Sequence, residues 1–326
     1  MSYFRFCIVN LFILICACII LQSCNDDLNT LDQVSSPILS EDHNPFLIFQ
    51  SDGSQMGWHT SAVVNSGKGE LFLHQLTAGR LDFTPDISYD KKWIVYIHKA
   101  DGEADYRIWK MKANGEGKRA LTPLGKSCQR PRFSKDGSKI VFVLTEANRS
   151  DICIIDSSGG NWQQLTSSSN VPFYSTTLFN YPDFDPSGNI IVCSYKRTDL
   201  AKMGLATLNA VTHEFVYIHS ADDFYPESPR WSPLGGEIIF TGEVFSFEGP
   251  KLFKMKSDGS NLKVIYSKAW GVYCPDWENS NSASRIAFAK KDSLNGFSSI
   301  WAVDENGNNE RLEYGYYNEN CTEPSW

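Results

Sequence analysis

Six prolines mark the positions at which this chain of 326 residues could do chemistry. They open a recurring motif, Pro85-Asp86-Ile87-Ser88, Pro131-Arg132-Phe133-Ser134, Pro182-Asp183-Phe184-Asp185, Pro229-Arg230-Trp231-Ser232, Pro275-Asp276-Trp277-Glu278 and Pro324-Ser325-Trp326, at intervals of 46, 51, 47, 46 and 49 residues. The residue after each proline reads Asp86, Arg132, Asp183, Arg230, Asp276 and Ser325, so carboxylate and guanidinium alternate. A planar guanidinium can bridge two carboxylates through its donor fork. Two uses follow: a belt that pins neighbouring repeats together, or a charged throat that orients a ligand. Glu227, Arg130 and Glu323 stand one or two residues ahead of a motif proline and add polar groups to the same neighbourhood.

Aromatic residues crowd the segments that lead into these motifs. Tyr181, Tyr225, Trp270, Tyr273 and Tyr317 belong to them, as do Phe173, Tyr174, Phe179, Phe224, Tyr314 and Tyr316. Phe297, Phe245, Phe247 and Trp58 lie in loops that fall on the same side of the repeat. Rings on loops give broad contact at low entropy cost and stack on sugars or anchor protein contacts. The alternative use is to pack inward and cover the strand ends.

Metal and nucleophile chemistry have less to draw on. The six His show no His-x-x-x-His spacing; His213 falls in a hairpin turn on the opposite side, while His59 and His98 can reach the aromatic side. Neither a metal nor a cofactor is called for. Of the nine Cys, Cys153 and Cys193 sit in apolar strands as small hydrophobes. Cys274 and Cys321 precede motifs of adjacent repeats, where a disulfide is conceivable in an oxidising compartment.

The motifs need elements to hold them, and the repeat supplies these. After each motif comes a turn such as Lys135-Asp136-Gly137-Ser138 or Asp185-Pro186-Ser187-Gly188, where Gly provides a positive φ. Short apolar strands follow, as at 140–144, 190–193, 238–241 and 286–289, then a variable loop and a third strand at 106–111, 151–155, 251–255 and 299–303. Turns such as Ser257-Asp258-Gly259 and Glu305-Asn306-Gly307 lead into a fourth. Four strands per unit make a propeller blade. Residues 46–77 supply only strands two to four of another unit, and Pro324-Ser325-Trp326 supplies its missing first strand, which removes an exposed sheet edge. The reading is all-β: a six-bladed β-propeller of four-stranded antiparallel blades over 45–326, closed by the C-terminal strand joining the N-terminal blade.

The fullest motif, Pro229-Arg230-Trp231-Ser232-Pro233-Leu234-Gly235, and the strands Ile108-Trp109-Lys110-Met111 and Leu252-Phe253-Lys254-Met255 before Gly turns resemble the PD40, WD40-like repeats of the TolB-like six-bladed propellers. That resemblance covers about 280 residues and implies fold more than function, since the family includes periplasmic scaffolds, peptidase propeller domains and polysaccharide lyases. No Gly-x-Ser-x-Gly elbow occurs, which argues against the peptidase branch.

At the other end, Arg5 followed by an apolar run to Leu21 has a signal-peptide layout, and Leu21-Gln22-Ser23-Cys24 resembles the lipobox of bacterial lipoproteins. This implies a signal peptide over 1–23, lipidation of Cys24, and a flexible tether over 24–44. Asn25-Asp26-Asp27 resembles the export tag of surface-displayed lipoproteins. A net charge of −8 and the lack of a Lys/Arg-rich run disfavour nucleic acid as a partner. The expectation is a monomeric, lipid-anchored binding protein or scaffold of the outer membrane, at the cell surface or periplasmic face, taking a glycan or protein ligand. Catalysis is not needed to explain these features; the alternative is a lyase-like enzyme working from an axial pocket.

Overall fold

The computed structural model describes residues 47–52, 59–65, 71–77, 81–221, 224–244, 249–280, 282, 284–293, 296–315 and 320–326. The signal and tether segments with Cys24, and Trp58, Phe245, Phe247, Tyr316 and Tyr317, lie outside the described residues. Six four-stranded antiparallel sheets form the blades of a propeller. Blade 1 joins Cys321–Ser325 to Leu47–Ser51, His59–Asn65 and Leu71–Gln75. Blades 2 to 6 are meanders in chain order whose innermost strands are Asp82–Ile87, Ser127–Phe133, Thr177–Phe184, Phe224–Trp231 and Gly271–Trp277. The repeat is therefore read correctly, closure included. Blade 4 also holds a third strand, Lys202–Asn209, that the sequence does not advertise, because Gly204 and Thr207 interrupt the apolar run.

The motif proline shapes every innermost strand. Proline cannot donate to a ladder, so pairing with the second strand breaks around it and resumes one residue later, at Asp86↔Val95, Arg132↔Val141, Asp183↔Val192, Arg230↔Ile239 and Asp276↔Ala287. The residue before each proline takes up the kink in the left-handed region: Thr84, Arg130, Tyr181, Ser228, Cys274 and Glu323 have φ between 48° and 55°. Bulges re-aim the flanking side chains, here toward the axis.

Each innermost strand begins on one face of the disc, which also carries the loops between second and third strands; we call it the loop face. The tight turns lie on the turn face. There, glycines let one blade touch the next: a Cβ on Gly307 would lie 1.7 Å from the Ile265 carbonyl oxygen of the preceding blade, and one on Gly259 2.1 Å from that of Ile218. Closure depends on Ile48↔Ser325 and Ser51↔Cys321 pairing and on the buried Trp326. The Trp326 N–H donates to Asp276 at 3.2 Å, and its carbonyl accepts from Asn279 Nδ2 at 2.7 Å. No helix among the described residues is long and apolar enough to cross a membrane.

Candidate functional site

The residues after the prolines meet at the axis. Arg132, in blade 3, donates to Asp86 of blade 2 at 2.8 Å and to Asp276 of blade 6, opposite in the ring, at 2.6 Å; its Nε reaches Asp183 of blade 4 at 3.4 Å. The second oxygens of the three carboxylates accept backbone N–H groups of the following blade: Phe133 to Asp86 at 2.7 Å, Trp231 to Asp183 at 2.8 Å and Trp326 to Asp276. Ser325 extends the pattern, accepting Ile87 N–H at 3.2 Å and donating to Asp86 at 3.0 Å. Each Arg bridging two neighbours is the arrangement expected from the alternation; instead Arg132 gathers three carboxylates. Arg230 donates to its neighbouring Pro229 carbonyl at 3.0 Å and lies 3.5 Å from Asp276.

Burial sets the charge balance of this belt. It opposes the Arg132 cation, but Asp276, Asp86 and Asp183 together hold that cation firmly, above the usual arginine range. Burial pushes Asp183 up to about 6 against the pull of Arg132 and Arg230, and it raises Asp86 against Arg132. Arg230 is lowered by burial and by the neighbouring Arg132. Three acids and two guanidiniums leave an excess negative charge, and Lys91 in the turn of blade 2 feels it. Burial brings the Lys91 amine down to about 8 while Asp276, Asp86 and Glu278 draw it back up.

One layer nearer the loop face, Arg130 pairs with Glu323 of blade 1, donates to the Tyr181 hydroxyl at 3.0 Å and lies 4.2 Å over the Tyr181 ring. Cys274 completes the wall; burial pushes its thiol up to about 12, and Ser228 Oγ lies 4.0 Å from its sulfur. A small recess lies between the two layers, and a second opens below the belt among Tyr89, Lys135, Trp231 and Trp277. Cys321 turns into the core beside Leu47 and Phe49, and no disulfide joins it to Cys274.

The loop-face aromatics divide in two. Phe179 is buried and Tyr314 packs on Phe49 with centroids 4.7 Å apart, so both cover strand ends. Tyr225 and Tyr273 are half-buried, and the Tyr273 ring folds back over Gly271. Trp270 and Glu227 are exposed. Among the described residues three aromatic side chains are exposed, Phe173 (61%), Phe297 (49%) and Trp270 (39%), and all three lie on the loop face. His98 also sits on this side. Its Nδ1 is 2.6 Å from the buried Asp82 carboxylate, a pairing the sequence does not reveal because the two residues are 16 apart and meet only through strand register.

No protein family description matches the sequence, and no curated protein matches it. Solved structures do. TolB from Acinetobacter baumannii superposes with a TM-score of 0.65 at 13% identity, covering 86% of this chain and 66% of that one. A putative TolB from Agrobacterium tumefaciens gives 0.63 at 16% identity, covering 84% of this chain and 96% of that one. Oligogalacturonate lyase from Vibrio parahaemolyticus gives 0.53 at 14% identity over 77% and 71% of the two chains. The chain thus spans just under two thirds of the Acinetobacter protein. In fold it is a TolB-like six-bladed β-propeller.

Proposed function

We propose that this chain is a binding protein or scaffold of the bacterial envelope, tethered to outer-membrane lipid through Cys24, which recognises a glycan or protein with the loop face of its propeller. The observation that carries the reading is the placement of the exposed Phe173, Trp270 and Phe297 together on that face, while Arg132 at the axis is held by Asp86 and Asp276. Exposed rings on the loop face give broad contact area, which suits recognition. The likeness to TolB structures supports an envelope scaffold, and the lipobox-like Leu21-Gln22-Ser23-Cys24 supports the anchor. The protein acts as a monomer without a metal or cofactor.

The test combines retention and turnover: purified protein is passed over immobilised polysaccharides and envelope proteins, and soluble products are assayed. Retention without turnover is expected. Release of unsaturated, ultraviolet-absorbing sugars would instead establish the lyase reading, which the Asp82–His98 pair favours because a carboxylate held against an imidazole nitrogen orients the ring for proton transfer. For the anchor, Cys24→Ser should move the protein from the membrane to the soluble fraction and abolish labelling by a palmitate analogue.

A further inference from the structure

Fourteen described residues other than glycine have positive φ. Six are the pre-proline residues of the axial ring, and seven (Lys91, Ala147, Asn161, Ala201, His213, Asn261 and Asn309) sit in tight turns between consecutive strands of a blade. The remaining one is Phe173, at φ 57°, in the segment leading into blade 4. A bulky side chain rarely adopts this conformation, and with 61% of its surface exposed the ring gains little from packing. Neither the repeat nor the core accounts for it.

The surroundings hold Phe173 firmly in place. Its carbonyl accepts from Thr176 N–H at 3.0 Å, Thr176 Oγ1 at 3.2 Å and Thr177 Oγ1 at 2.9 Å. The Arg197 guanidinium lies 3.8 Å from the ring centroid and is itself fixed by Asp199 through two bonds, at 2.6 and 3.2 Å. Next to it, Tyr174 is stacked in the same way under Arg149 at 3.6 Å. The result is a rigid apolar plate, one side under a guanidinium, beside a donor–acceptor fork.

Resting on the loop-face reading, we infer that Phe173 is the stacking platform for a sugar ring of a glycan ligand, with the Arg197–Asp199 fork reading its hydroxyl groups. A pyranose offers an apolar C–H face bordered by hydroxyls that both donate and accept, which matches a plate beside an Arg–Asp pair. A protein anchor favours an apolar surround that excludes water, whereas the Phe173 ring has the Arg197 guanidinium over it.

The test is affinity electrophoresis of the full chain through gels containing arabinoxylan, xyloglucan, laminarin or polygalacturonate, with thermal unfolding in parallel. At least one polysaccharide should retard the wild type, and Phe173→Ala should weaken that retardation about tenfold. Phe173→Gly should lose binding equally while its melting temperature holds or rises, because glycine adopts this φ without strain. A fall of several degrees in Phe173→Gly would make the ring structural and overturn the inference. So would full retardation of Phe173→Ala; if Trp270→Ala or Phe297→Ala abolished binding in that case, the loop-face reading would stand without Phe173. A wild type retarded by none of the four gels overturns the sugar assignment.

Discussion

Arg132 draws on carboxylates from blades 2, 4 and 6, the alternate blades of the ring, and so lies at the centre of a three-fold arrangement inside a six-fold one. Replacing it with Met would leave three buried acids facing one another. Arg132→Met should cost about 3–5 kcal/mol in denaturant unfolding, the range for removing one partner of a buried pair; a loss below about 1 kcal/mol would show that the belt does not hold the blades. Asp183 gives a pH signature of known sign. Its native carboxyl is raised to about 6, above an unfolded value near 3.8, so its contribution is fully present below about pH 4 and is lost as pH rises through about 6. Asp183→Asn keeps an acceptor for Trp231 N–H and should gain stability relative to the wild type between about pH 4 and pH 7. A pH-independent difference between the two would contradict the raised value. The alternating charges are legible as spacing, but the reach of Arg132 to the opposite blade is not, because it depends on the width of the channel. The left-handed residues before the prolines are in plain view, yet their backbone conformation follows only from the bulge.

Strand positions were legible because proline and glycine punctuate them at fixed offsets. The exposure of aromatics ahead of the motifs was not, since Phe173 precedes and Phe179 lies within the same innermost strand and only the fold distinguishes a buried ring from an exposed one. The turn glycines fall into two groups that composition does not separate. Gly137 has φ 70° with nothing near its missing Cβ, whereas Gly307 has φ 80° and faces the Ile265 carbonyl. Gly137→Ala should cost about 1 kcal/mol of backbone strain alone. Gly307→Ala must also push blades 5 and 6 apart and should cost at least about 2 kcal/mol more. Equal losses in the two variants would mean that the contact between blades is soft.

Closure of the disc rests on a short segment. Deleting 321–326 removes the innermost strand of blade 1, the Ser325 hydroxyl that bonds Asp86, and the Trp326 N–H that bonds Asp276. The truncated protein should lose its cooperative thermal transition, and unfolding that kept the wild-type midpoint would show that the belt alone can close the ring. Strands 47–51 and 321–325 are partners across nearly the whole chain. During translation the first of these leaves the ribosome long before the other exists, so no shorter nascent intermediate can complete the wheel, and topological assembly is deferred until residues 321–326 emerge.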